Sequence, residues 1–176
     1  MLVGFDQEAL GAFARTVSHL LGMRAVVSGG AARSYDELLA LACRKVDEIA
    51  PVNVSRKAQD KAAELGLGDL RTYCWHCPIM NKLREGAKKK RLFLWEHYKP
   101  VADIQSALRE LGPEPTHGQI VAILGMSKIS CVYRNEGDVL GNRTRPDPAK
   151  TYRDAGITLL YPWETCRPID CRRHGG

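Results

Sequence analysis

Apolar residues recur three or four apart at Leu10, Phe13, Val17, Leu20 and Leu21, and this period predicts an amphipathic helix over residues 6–22. Ser28-Gly29-Gly30 breaks the pattern. Ser34 with Glu37 three residues on reads as a capping box, followed by an apolar stripe of Leu38, Leu41, Val46 and Ile49. Pro51 is expected to end this second helix. A third, short helix is expected from Ser55 to Leu65, closed by Gly66 with Gly68 in the turn beyond. The first part of the chain, 1–70, therefore reads as a helical scaffold without evident chemistry of its own.

After Cys77 the period changes. Asn81 to Lys90 is a basic turn or short helix, and Arg91 to Trp95 reads as a strand. Val101 to Leu111 has helical spacing and stops at Gly112-Pro113. Thr116 with Gln119 forms another capping box, opening a short helix that ends at Gly125. Ile129 to Arg134 and Ile157 to Tyr161 are β-prone. Between them Asn142 to Pro148 is a loop with two arginines and two prolines. With helices first and a small sheet later, the expected class is α+β: a helical N-terminal region, 1–70, then a region 71–176, or one compact domain overall. There is no internal repeat.

Composition adds a partner class. The 176 residues are 44% hydrophobic and 26% charged, as in an ordinary globular protein, but the net charge is +6 and the pI about 9.1. That balance favours nucleic acid or another acidic partner. The most apolar stretch, Ala9 to Val27, is interrupted by Arg15, His19 and Arg24 and lacks a leading basic segment, so neither a membrane span nor a secretory leader is expected. A cytoplasmic protein is the expectation. Six cysteines in a reducing compartment then point to metal or free thiols rather than disulfides.

The chemistry concentrates between Cys74 and Pro100. Cys74 and Cys77 have the spacing of a zinc knuckle, and Cys166 and Cys171 can complete a tetrahedral structural Zn²⁺ site, with Cys131, His76 and His174 as alternative ligands. Cys43 reads as core, Trp75 and Trp95 as core aromatics, and His19 and His117 as structural. Phosphodiester hydrolysis needs a base for the attacking water and a cation for the developing charge. His97 has the chemistry of the base, and Glu96 that of a ligand for Mg²⁺ or Mn²⁺. On an ideal strand the two point to opposite faces, so they converge only if the chain turns there.

The order C-x-x-C, spacer, acid-His-x-x-Pro resembles the HNH, or ββα-metal, nucleases. It is most similar to their zinc-supported branch, with resolvases of the endonuclease VII kind and some restriction enzymes. The resemblance implies a small ββα-metal core, Glu96 as ligand of the catalytic cation, and His97 as the base. It further implies a later asparagine completing the site, with Asn135 the first candidate and Asn142 the competitor. Leading into this box, Lys82, Arg84, Lys88, Lys89, Lys90 and Arg91 would carry phosphates to it. Arg143 and Arg145 would do so from the other side, or reach guanine edges.

The reading is a metal-dependent endonuclease of double-stranded DNA, of the restriction, phage or mobile-element kind. A homodimer would suit a palindromic target. The alternative is a non-enzymatic, zinc-stabilised DNA-binding regulator. An RNA-directed protein would use the same charges, so duplex DNA and structured RNA are to be competed at fixed salt. DNA is expected to win, and preferential capture of the RNA would overturn the choice of substrate.

Overall fold

Asp6 opens the first helix, α1 (Gln7–Val26), by accepting the backbone N–H groups of Glu8 and Ala9 with its side chain. The computed structural model describes residues 6–50, 52–73, 82–86, 88–141 and 144–160. After a two-residue link comes α2 (Gly29–Val46), with Ser28 at its N-cap position. The Gly29-Gly30 pair therefore begins the helix instead of breaking the chain. Ser34 is not a cap but an interior residue whose hydroxyl bonds back to the Gly30 carbonyl at 3.3 Å. The inward face carries Leu39, Ala42, Cys43 and Val46, while Leu38 and Leu41 are each 48% exposed. Packing against α1 and a later helix decides which face turns in, and overrides the weak helix propensity of the glycines.

Next are the short strand β1 (Val52–Ser55), the helix α3 (Arg56–Glu64) capped by the Ser55 hydroxyl, and a 3-10 turn at Leu70–Thr72. The basic run folds as a hairpin of β2 (Arg84–Glu85) and β3 (Lys90–Arg91), with Gly86 and Lys89 at positive φ in its turn. Strand β4 (Phe93–His97) leads to α4 (Val101–Glu110) and α5 (His117–Leu124), whose Thr116–Gln119 capping box forms as expected. Strand β5 (Ile129–Tyr133) follows, then the short helices α6 (Arg134–Leu140) and α7 (Pro148–Asp154), and finally β6 (Leu159–Leu160).

The fold is mixed helix and strand, α+β, with a small four-stranded sheet of order β4-β5-β1-β6. Strand β5 runs antiparallel to β4 and parallel to β1, and β6 closes the far edge antiparallel to β1. One core joins Leu10, Val17, Leu39 and Val46 of the first two helices to Ile104, Leu108, Ile120 and Leu124 of α4 and α5. A second lies under α3, where Val54, Ala58, Leu70, Phe93 and Cys131 meet. Each core takes residues from both sides of residue 70, so that position does not divide the hydrophobic interior.

Three charged groups fasten the helical layer. Asp36 of α2 takes Arg24 at 3.2 Å and Arg109 of α4 at 2.9 Å. Burial pushes the Asp36 carboxyl up, but these guanidinium bonds outweigh it and hold the group below its usual range.

On the other face of the sheet, α6 crosses β4 closely. A Cβ on Gly137 would stand 2.5 Å from Leu94 Cδ1 and 3.5 Å from Leu94 Cβ. Gly137→Ala is therefore expected to lower unfolding free energy by about 1–3 kcal/mol in urea titration, and pairing it with Leu94→Ala should return part of that loss.

Candidate active site

The register of the sheet assembles the site. Ile129 of β5 stands opposite His97 of β4 and Val52 of β1, and Ser130 stands opposite Glu96 and Asn53. Side chains in register share a face, and consecutive ones alternate. His97 belongs to the face under α3, whereas Glu96 belongs to the face under α6 and α7. Strand β4 extends two residues beyond the expected end at Trp95, so His97 is its last residue and the chain does not turn between the two.

Asp47, the C-cap residue of α2, meets His97 at 2.7 Å from its Oδ2 to Nε2. Its other oxygen accepts a hydrogen bond from the Ser127 hydroxyl. Asp47 and Ser127 are each 1% exposed, whereas the His97 side chain is 42% exposed. A carboxylate at a helix C-terminus faces the negative end of the helix dipole, and burying it adds a desolvation cost. Here the hydroxyl and the imidazole offset both. With Nε2–H given to Asp47, a neutral His97 ring keeps its lone pair on Nδ1, and the carboxylate fixes both tautomer and orientation. Asp47 was not singled out in the sequence. Its only signal there is an acid embedded between Val46 and Ile49, one turn before a proline.

Glu96 is held by Arg145. The guanidinium Nη2 lies 3.3 Å from Glu96 Oε2 and donates to the Gly141 carbonyl at 3.0 Å, while Nη1 donates to the His97 carbonyl at the sheet edge. The Arg145 backbone N–H donates to Asp103 at 2.7 Å. Arg145 is 2% exposed. This corrects its expected role: a side chain spent on three internal acceptors and shut from solvent cannot read a guanine edge. It also bears on the divalent cation. The Arg145 guanidinium stands beside the carboxylate that such a cation would use.

His97 and Glu96 nevertheless line one cleft of about 360 Å³, because β4 is an edge strand and the cleft wraps around that edge. Its other walls are Arg44, one turn before Asp47 on α2, the first turn of α4 from Pro100 to Asp103, and Thr144 with Arg145. Pro100 supplies no side-chain cap to α4, so the positive end of that helix dipole opens on the cleft beside the Arg44 cation.

Other expected residues lie elsewhere. Asn135, exposed in the first turn of α6, follows the end of β5 that pairs with Phe93, roughly 13 Å of strand away from the His97 end. Lys82, Arg84, Lys88, Lys89, Lys90 and Arg91 are all exposed around the β2–β3 hairpin. That hairpin precedes the opposite end of β4, so up to about 20 Å of extended chain separates Arg91 from His97. Cys131 is fully buried within β5, where burial and the nearby Glu136 carboxylate push its thiol far up. It packs with Val54, Ala58 and Phe93 in the core under α3. Cys43, likewise buried, is pushed up to about 12, as befits a core residue. Cys74, His76, Cys77, Asn142, Arg143, Cys166, Cys171 and His174 lie outside the described residues.

Comparisons with protein-family models, with curated proteins and with solved structures give no match to this chain. Among the described residues no helix is long and apolar enough to cross a membrane.

Removing the guanidinium would strand a largely buried carboxylate. Arg145→Ala is expected to cost about 3–5 kcal/mol of stability in denaturant unfolding. At a temperature where the variant is still folded, its DNA affinity should match wild type, as a direct phosphate contact would not allow.

Proposed function

We propose that this chain is a phosphodiester hydrolase acting on double-stranded DNA, with His97 as the general base. The observation that carries the reading is the pairing of His97 with the buried Asp47 at the wall of a cleft that also holds a cation and a helix N-terminus. A buried carboxylate behind a half-exposed imidazole is the arrangement that orients a base. In this reading a backbone phosphate lies against Arg44 and the first turn of α4. The Nδ1 atom of His97 takes the proton from the attacking water. Asp47 then stabilises the imidazolium, and Ser127 keeps Asp47 in place.

Glu96 becomes a positioning residue. Through Arg145 it ties the edge of β4 to the segment after α6 and helps set the height of His97 in the cleft. The exposed basic hairpin extends the DNA footprint along the sheet, away from the cleft. A structural Zn²⁺ held by Cys74, Cys77, Cys166 and Cys171 belongs to the same proposal. Its support is the spacing of those cysteines, as is the family resemblance for a catalytic Mg²⁺ or Mn²⁺.

Purified protein incubated with plasmid DNA, with and without Mg²⁺ or Mn²⁺, tests the reading. His97→Ala is expected to lower cleavage about a hundredfold or more, and Asp47→Asn about ten- to a hundredfold, with DNA binding retained by both. Equal cutting by wild type and His97→Ala would remove His97 from the chemistry. Salt-sensitive binding without cutting of any DNA would favour the second reading, a zinc-stabilised DNA-binding protein, for which the exposed hairpin cations speak.

A further inference from the structure

A second cleft, of about 430 Å³, opens on the opposite face of the sheet from His97. Its floor is Asn53, in the interior strand β1, and its walls include Tyr98, Lys128, Tyr152 and Arg153. Asn53 is 8% exposed, and it contributes to the lining of the cleft. A polar group of an interior strand that faces a cleft is open to a partner from outside the chain. Its neighbours are more deeply enclosed. Ser130, in register beside Asn53, and Tyr152, from α7 above them, both carry buried hydroxyls without a partner. These two hydroxyls are close enough to influence one another but do not meet in hydrogen-bonding geometry. Burial pushes the Tyr152 phenol up to about 12, so it is a neutral donor at physiological pH.

The surroundings of this amide define what would satisfy it. Tyr98 and Tyr152 lie with ring centroids 5.2 Å apart and planes tilted by 38°, and Tyr98 stays partly exposed. The Lys128 ammonium stands 6.0 Å from the centre of the Tyr98 ring. Arg153 is exposed at the rim, and among the described residues no carboxylate lines the cleft. An apolar wall of Ile157, Leu159 and Leu160 completes it. A planar amide offers one donor direction and one acceptor direction side by side, which is the complement of a nucleobase edge. A partly exposed tyrosine ring offers a surface for a base to stack on, and the two cations suit the phosphate attached to it.

We propose that this cleft binds a single nucleotide unit, with the base against Tyr98 and the Asn53 amide and the phosphate towards Lys128 and Arg153. Volume agrees, since small-ligand pockets begin at about 300 Å³. The site does not depend on catalysis at His97. It lies across the sheet from that residue, and Tyr98 and Lys128, the chain neighbours of His97 and Ser127, connect the two.

Calorimetric titration of the full chain tests this, with AMP, GMP, CMP and UMP, with inorganic phosphate and ribose 5-phosphate, and with a short single-stranded oligonucleotide. At least one mononucleotide should bind at one per chain and more tightly than either base-free phosphate. Tighter binding of the oligonucleotide would identify the source as a nucleic-acid strand, and equal or weaker binding a free nucleotide. Asn53→Ala should weaken binding about tenfold by removing the buried amide, and the surface change Lys128→Gln about threefold by removing one charge. His97→Ala should bind as wild type does. The inference fails if no mononucleotide binds at millimolar concentration, if phosphate alone binds as well, or if folded Lys128→Gln and Asn53→Ala proteins both bind unchanged.

Discussion

Ile129 occupies the position on which the site depends. It pairs with His97 on one side and Val52 on the other, and these two pairings fix three chain segments at once. The residues just before Val52 come from the end of α2, and those just before Ile129 from the turn after α5. Parallel pairing of β1 and β5 therefore brings Asp47 beside Ser127, and antiparallel pairing of β4 and β5 delivers His97 to both. A one-residue slip of β4 would send His97 to the other face and Glu96 towards Asp47. The buried alternation of β5 makes that slip costly, since Cys131 and Val132 are each fully enclosed by opposite cores.

Around this register the molecule is built in two joined layers. The helices α4 and α5, inserted between β4 and β5, do not hang from the sheet as a separate excursion. They complete the core begun by α1 and α2, and the Asp36 ion cluster locks α4 to both. The tip of α2 is thus held rigidly where Asp47 is needed. On the opposite face, Arg145 spans β4, the end of α6 and the first turn of α4, and the buried Glu136 accepts hydrogen bonds from Ser55 and the Tyr133 backbone.

Much of the helical outline was legible. The period of α1, the Thr116–Gln119 capping box and the stop after α4 are local features, set by residues within one or two turns of each other. Strand β5 was legible too, because Ile129-Ser130-Cys131-Val132-Tyr133 is β-prone on its own. Strand β1 was not: Val-Asn-Val-Ser is four residues long, half polar, and wedged between two helices. Its strand character comes from its neighbours on both sides. The frame of α2 is open in the sequence for a similar reason, since Leu38 and Leu41 satisfy the helical period as well as Leu39 and Cys43 do. Only the packing partners choose between the two stripes.

The sequence by itself determined the α+β class, the basic character, the chemistry available at Glu96 and His97, and the rule that adjacent strand residues face opposite ways. Those follow from composition and from backbone geometry over a few residues. Tertiary structure alone decided that His97 has Asp47 for a partner, that Arg145 is buried against Glu96 rather than displayed to solvent, and that the basic hairpin lies at the far end of β4. The reason is physical: a buried ion pair or an in-register strand joins residues some fifty positions apart, and nothing local in the chain records which distant group will neutralise a given charge.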